Sequence, residues 1–427
     1  MTLPPATSPI WHPFTQHGLG EPIPLVTHAE GALLHTANGR TVIDAVSSWW
    51  VTTHGHCHPR IMTAVAEQAQ KLDQLIFAGW THEPAEAVAA GLTAIMPPEL
   101  TRVFFSDSGS TSVEVALKMA LGYWHVHASA KGGTPRHRIV VMEHSYHGDT
   151  IGAMSVGARG VFNQPYEPLL FDVGRIPFPA AGAEQETLDA LEALCRQADT
   201  AALIVEPLAL GAGGMLVYGA DTLKAMADIC ARYGVLFIAD EVMTGWGRTG
   251  TLLACEQAGV IPDILCLSKG LTGGSLPLAV TMASEAIFAA HWSTDRARMF
   301  FHSSSYTANP IACAAAAANL AIWREEPVMD RISDLGRRQA AWLEKLGRFC
   351  HFDNPRTLGT ISALDLRTRG QGGYMDGLAP ELMAFFRKRD ILLRPLGNTV
   401  YVMPPYCITD DQLDQVWNAI GEAVISF

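Results

Sequence analysis

The chain has 427 residues, 48% of them apolar and 17% charged, with a net charge of −12. That length supports a large core and more than one domain, and that balance excludes a disordered or fibrous chain. The acidic excess argues against nucleic acid or anionic membranes as partners, and no run of about 18 apolar residues is present to span a bilayer. The opening Met1-Thr2-Leu3-Pro4-Pro5 lacks a basic n-region and an apolar h-region, so the expected location is the cytoplasm. The eight scattered cysteines read as reduced thiols rather than a disulfide framework.

Residues 1–60 are rich in Pro, His and Gly and hold short strand-like pieces such as Thr41 to Val46. From about 61 to 320 the pattern alternates. Helix-like segments (Ile61 to Leu75, Pro84 to Ile95, Ser112 to His125) are interleaved with short apolar runs at 103–105, 138–142, 202–205, 235–239 and 264–267. Strands spaced by helices predict an α/β fold with a mostly parallel central sheet covered on both faces. The last hundred residues change character. Helices are expected over Val328 to Leu346 and Leu378 to Arg389, strands at Ile361 to Leu366 and Val400 to Met403, and a surface loop at 367–377. The expected organisation is a large domain over 61–324 and a smaller α+β domain assembled from 1–60 and 325–427.

Two apolar runs end in chemistry-bearing residues. Leu236-Phe237-Ile238-Ala239 runs into Asp240, and Ile264-Leu265-Cys266-Leu267-Ser268 runs into Lys269. Strands that alternate with helices place their C-terminal ends along one crevice, where ligands bind. An amine and a carboxylate there suit pyridoxal phosphate: the lysine condenses with the aldehyde and the acid holds the ring nitrogen protonated. A partly buried ion pair would explain the two residues alone. Ser106-Asp107-Ser108-Gly109-Ser110-Thr111-Ser112 follows another apolar run and opens a helix, which makes a phosphate site as well as an N-cap.

Other motifs are weaker. Gly245 to Gly250 matches G-x-G-x-x-G but starts five residues past Asp240, so it reads as a turn-rich connection rather than a dinucleotide site. His54, His56 and His58 at spacing two would alternate faces on a strand, so a packed loop of neutral histidines is expected and no metal. Ser47-Ser48-Trp49-Trp50, read as extended, would turn one indole to a cavity and the other to the core. Tyr146-His147-Gly148-Asp149 offers an aromatic to stack on a planar ring. Arg394, fixed locally by Pro395, suits bidentate carboxylate recognition or a plain surface position.

Taken together these segments resemble the class III aminotransferases, which have the pyridoxal-phosphate transferase fold type I. Further matches are Glu206-Pro207, Asp240-Glu241-Val242, Gly247 to Gly250, Asp263 to Gly274 and Asn309-Pro310, so the resemblance spans nearly the whole chain. Trp11-His12-Pro13, Ser47 to Trp50, Val113 to Ala120, Arg394-Pro395 and Tyr401 to Tyr406 are similar to the branch that aminates 8-amino-7-oxononanoate in biotin synthesis. The resemblance implies catalytic roles for Lys269, Asp240 and Tyr146. It implies cofactor contacts from Gly109, Ser110, Ser304 and Ser305, and a substrate pocket of Phe14, Trp49, Tyr146, Ser303, Arg394 and Tyr401. It implies a homodimer in which His302 to Tyr306 crosses to the partner's cofactor. Two positions depart from the branch: Ser303-Ser304-Ser305 replaces Gly-Pro-Thr, and Phe14 replaces tyrosine. The implied amino donor is S-adenosylmethionine; the alternatives are lysine as donor to the same acceptor, or a generic class III ω-aminotransferase.

Overall fold

The computed structural model describes residues 2–3, 8–348, 352–367 and 377–427. Its centre is a seven-stranded sheet: β1 (Arg102–Ser106), β2 (Arg138–Met142), β3 (Gly174–Ile176), β4 (Thr200–Val205), β5 (Leu236–Asp240), β6 (Ile264–Leu267) and β7 (Ala279–Ala283). The spatial order is β1-β7-β6-β5-β4-β2-β3. Only β7 runs against its neighbours β6 and β1; the other pairings are parallel. The expected mostly parallel sheet is therefore present, with two strands, β3 and β7, that the sequence reading did not include.

The sheet is apolar on both faces, and period two sorts its residues. Leu203, Val205, Phe237, Ala239, Leu265 and Leu267 face one core, shared with helices Glu83–Ile95, Ala220–Tyr233 and Pro310–Glu325. Ala202, Ile204, Leu236, Ile238, Ile264 and Cys266 face the other, covered by the long helix Gly109–Lys131. Burial on both sides explains why these strands read as continuous apolar runs rather than alternating ones. Each fully buried aliphatic side chain contributes about 1.5–3 kcal/mol.

The two ends of the chain build a further core together. Thr41–Asp44 pairs in parallel with Ile391–Leu392, Ile43 opposite Ile391, in a four-stranded sheet with Leu33–Thr36 and Val26–Glu30. Ile43, Val46, Phe386, Leu393, Tyr401 and Trp417 share that core. The strand expected over Thr41 to Val46 stops at Asp44, where the chain turns sharply. The loop expected at 367–377 lies largely outside the described residues. No helix among the described residues is long and apolar enough to cross a membrane.

Strand order reverses between β4 and β2. Chain direction moves outward from β2 to β3 on one side and from β4 to β5 and β6 on the other. Such a switch point opens a crevice at the carboxyl ends of the strands. The loops after β1, β2, β4, β5 and β6 all emerge there.

Candidate active site

Lys269 follows β6 and is partly buried, bordering a cavity. Its φ is +45°, in the left-handed region that costs a non-glycine residue about 1–3 kcal/mol. Gly270 beside it is required by space, because a Cβ there would stand 2.7 Å from Trp246 Cβ. Burial pulls the Lys269 ammonium down to about 8, opposed by the nearby Asp240 and Glu206 carboxylates. Its Nζ lies 5.0 Å from the Trp50 ring centroid.

Asp240 ends β5 and is buried. Its Oδ2 accepts from His147 Nδ1 at 2.7 Å and its Oδ1 from the Val242 amide at 3.1 Å. A carboxylate only accepts, so Nδ1 of His147 carries the hydrogen. Glu206 follows β4, with Oε1 accepting from the Tyr146 amide (2.9 Å) and Oε2 from the Gly211 amide (3.1 Å). Complete burial raises its carboxyl to about 7. Glu206 thereby ties the loop after β2 to the loop after β4. Burial, reinforced by Asp149, pushes the Tyr146 phenol above its ordinary value.

At the β1 end, Ser108 caps the helix Gly109–Lys131 and forms a capping box with Thr111. The first amides of a helix have no intrahelical acceptor and attract anions. Close approach dictates glycine twice here. A Cβ on Gly109 would meet Val242 Cγ1 at 2.7 Å, and one on Gly148 (φ +127°) would meet Ser110 Oγ at 1.8 Å. Ser110 Oγ accepts from the Asp149 amide at 2.8 Å. A partly buried amine, a buried carboxylate fixed by histidine, and a helix N-terminus with hydroxyls match the aldehyde, ring nitrogen and phosphate of pyridoxal phosphate. The donor set fits that cofactor.

A cavity of about 320 Å³ reaches from Lys269, Trp50 and Tyr146 to Phe14, Trp49 and Arg394. Arg394 Nη2 donates to the Phe14 carbonyl at 3.2 Å, and its guanidinium carbon lies 5.1 Å from the Trp49 ring centroid. Phe14 packs against Trp49 (5.4 Å between centroids) and Phe162 (6.2 Å). Trp50 Nε1 donates to the Tyr401 hydroxyl at 2.9 Å. Both indoles border the cavity, Trp49 exposed and Trp50 buried. The extended reading of this segment is corrected. Ser47–Trp50 is one kinked helical turn with φ of +53°, +57° and +66° at Ser47, Ser48 and Trp50. The buried Asp44 carboxylate holds it, accepting from the Val46 and Ser48 amides and from His56 Nε2. Ser47 Oγ donates to the Met403 carbonyl.

Ser303, Ser304 and Ser305 do not line this cavity. Ser303 and Ser305 are exposed, and Ser304 Oγ donates to Asp107 Oδ2 at 2.5 Å. Gly245 to Gly250 forms turns, and Arg248 within it is buried, donating to the Pro404 and Thr52 carbonyls. Those bonds make Arg248 a clamp between loops. The histidine loop is not a strand: His54 contacts Asn319 and is driven to about 4 by burial, while His56 pairs with Asp44. Sequence reasoning left Glu206, His147 and Trp50 out of the site. A carboxylate directly after the fully apolar β4 was the available signal for Glu206.

The strand ends thus define a pyridoxal-phosphate transferase site, and the comparisons agree. The family model for class-III aminotransferases matches residues 15–424. The chain belongs to that family; it is a pyridoxal-phosphate-dependent aminotransferase. It is 46% identical to the adenosylmethionine-8-amino-7-oxononanoate aminotransferase of Synechococcus elongatus, covering 98% of this chain and 99% of that one. Identity to the enzyme of the same name from Anoxybacillus flavithermus is 38%, over 97% and 94%. The crystal structure of the Methanocaldococcus jannaschii protein of that name superposes with a TM-score of 0.92 at 31% identity, covering 98% of this chain and 97% of that one. A PLP-bound amine transaminase from an uncultivated Pseudomonas species gives 0.90 at 31%, covering 98% of each chain.

Proposed function

We propose that this enzyme transfers an amino group to 8-amino-7-oxononanoate, making 7,8-diaminononanoate for biotin synthesis, with S-adenosylmethionine as donor. One observation carries the reading: Lys269 and Arg394 border a single aromatic-walled cavity. A carbonyl placed at Lys269 and a carboxylate placed at Arg394 then define a long apolar keto acid. The reading agrees with the names of the relatives.

When bound, pyridoxal phosphate supplies an aldehyde for amine exchange and a ring that accepts an electron pair. Gly109 and Ser110 would hold its phosphate, and Asp240 its ring nitrogen. His147 Nδ1–H fixes the Asp240 carboxylate in one orientation. Lys269 Nζ, its ammonium pKa brought down to about 8, takes a proton from the substrate carbon that loses nitrogen and returns it to the carbon that gains it. Tyr146 closes one wall and orients the substrate. Donor and acceptor use the same amine-exchange point in turn, a ping-pong sequence.

The division into a domain over 61–324 and one built from 1–60 and 325–427 is part of this reading. So are a cytoplasmic homodimer and the crossing of His302 to Tyr306 into the partner's site, with Ser303, Ser304 and Ser305 contacting the partner's cofactor and substrate. Phe14 has no phenolic donor, and that keeps lysine as the alternative amino donor. The test is direct. Purified protein, pyridoxal phosphate and 8-amino-7-oxononanoate are mixed with each donor, and the diamine is sought by mass spectrometry. Diamine formed with S-adenosylmethionine is expected; no diamine with either donor would overturn the acceptor.

A further inference from the structure

Outside the cavity, a buried amide is tied to the turn that carries Lys269. Asn319 lies in the alanine-rich helix Pro310–Glu325 and is fully buried. Its Nδ2 donates to the Gly270 and Leu271 carbonyls, each at 3.0 Å. Both residues belong to the single helical turn Lys269–Thr272, which begins at the reactive lysine. The Gly270 carbonyl also accepts from the Gly273 amide at 3.0 Å, so the turn is closed from within and held from outside at the same atom. Asn319 Oδ1 contacts His54 Nε2 at 2.9 Å. Neither Asn319 nor His54 borders the cavity.

We propose that Asn319, oriented by His54, is a positioning residue for Lys269. The inference rests on the reading of Lys269 as the residue that condenses with pyridoxal phosphate, and it adds what keeps that amine in place.

A backbone carbonyl only accepts, so the two contacts to Gly270 and Leu271 fix which end of the Asn319 amide is nitrogen. Its oxygen then needs a donor, and His54 Nε2 must carry the hydrogen. His54 Nδ1, buried with no hydrogen-bond partner, carries none. Burial keeps that ring neutral, so the donor is an imidazole and not an imidazolium. His54 thus sets Asn319, and Asn319 sets the turn. The turn needs such a tie. Lys269 has a φ of +45°, and a non-glycine residue keeps that conformation only where its surroundings over-determine it. On the strand side Ser268 Oγ donates to the Leu278 carbonyl at 2.9 Å. On the other side the fixed points are the two Asn319 bonds. The end of the turn also packs on this pair: a Cβ on Gly273 would stand 3.5 Å from Asn319 Oδ1 and 3.7 Å from His54 Cδ2. Gly270 and Leu271 are buried, so without Asn319 these two carbonyls lose a donor that water does not replace. The turn then relaxes toward ordinary φ and carries Nζ with it. Lys269 works by proton transfer, which demands hydrogen-bond reach.

The test times a step that precedes turnover. Cofactor-free full-length protein is mixed with pyridoxal phosphate, and stopped-flow absorbance follows condensation of the Lys269 amine with the aldehyde, which releases water. Asn319→Ala should slow that condensation by about tenfold or more, because misplacing a reacting group by about 1 Å can cost on the order of 10²-fold. In the loaded enzyme the limiting rates of both half-reactions should fall by a similar factor, while the concentration dependence for 8-amino-7-oxononanoate changes by less than about twofold. His54→Gln keeps an N–H donor and should condense within about twofold of the unsubstituted protein. His54→Leu keeps none and should be slower than His54→Gln. Gln339 supplies the control for plain burial: it is as buried as Asn319 and donates to the Thr360 carbonyl at 2.6 Å. Gln339→Leu should lower the Tm and leave the condensation rate unchanged. Unaltered condensation in Asn319→Ala, or equal slowing in Gln339→Leu, would overturn the inference. If Asn319→Ala fails to fold, the His54 pair decides, and equal rates in His54→Gln and His54→Leu would overturn it. Borohydride reduction of the loaded unsubstituted enzyme, followed by peptide mass spectrometry, separates this inference from the reading beneath it. Cofactor fixed to another lysine overturns the role of Lys269; cofactor on Lys269 with Asn319→Ala unaffected overturns only the role of Asn319.

Discussion

The two ends of the active cavity are built by different means. At the Lys269 end, the groups sit on or just past the strands of one sheet; Asp240, His147 and Glu206 are buried, with Asp240 bonded to His147 and Glu206 to the Tyr146 amide. At the Arg394 end, the groups come from residues 13–14, 49–50 and 394–401, brought together by pairing between the chain's N- and C-terminal segments. Phe14 and Trp49 are 47% and 41% exposed, whereas Asp240 is 4% exposed. The lesson is a division of labour. On the proposed roles, strand ends carry the chemistry, and strained, half-open turns carry recognition of the two substrates.

That contrast can be broken at several points. The largest effect is expected for Lys269→Ala, which removes the amine proposed to exchange with substrate and to move the proton. Turnover should fall by on the order of 10²–10⁴ or more, while circular dichroism shows the fold retained. Near wild-type turnover would remove Lys269 from the mechanism. Asp240→Asn keeps the shape and removes the charge. A charge-assisted hydrogen bond is worth about 1.5–3 kcal/mol, so kcat should drop by roughly 10–100-fold in both half-reactions alike. An effect confined to one half-reaction would show that the strand-end group is not shared.

At the other end the effects are smaller and selective. Phe14→Ala should weaken the donor by roughly three- to tenfold, because an aromatic contact is worth about 0.5–1.5 kcal/mol beyond area burial. The measurement is the donor concentration dependence of the half-reaction. If lysine works and S-adenosylmethionine is inert, this prediction fails and Phe14 is only a wall. A further effect is on stability rather than turnover, and concerns Glu206 and pH. Its folded carboxyl is raised from 4.5 to about 7, so the folded state holds a proton that the unfolded state releases between those values. Wild-type stability therefore falls, by this contribution, as pH rises from about 4.5 to 7. Glu206→Gln cannot ionise, so cofactor-free Glu206→Gln should gain on cofactor-free wild type by about 1–3 kcal/mol between pH 5 and 8. A pH-independent difference in thermal unfolding would contradict this.

The same division decided what the sequence revealed. Strands 138–142 and 264–267 were legible to the residue, because burial on both faces makes an unbroken apolar run. Lys269, Asp240 and Gly109 were legible because each ends or follows such a run. β7 was not: Ala279 and Ala283 carry little β-branched signal, and its antiparallel direction comes from pairing between β6 and β1. The turn at Ser47–Trp50 was misread as extended. Its positive φ values are imposed by Asp44 and by Met403, more than 350 residues away, which local propensity cannot encode. The clamp role of Arg248 was not legible either, because its contacts to the Pro404 and Thr52 carbonyls exist only in the folded chain.

The most direct test of the shared cavity is stopped-flow spectroscopy of both half-reactions in Arg394→Ala and Arg394→Lys. Arg394→Ala should weaken 8-amino-7-oxononanoate by roughly 10–100-fold, with the donor step affected far less, and Arg394→Lys should recover part of the loss, since an ammonium cannot make two parallel hydrogen bonds. Equal damage to both steps would contradict the account: Arg394 would then support the fold or the cofactor, and the cavity's far end would not be where the carboxylate is read.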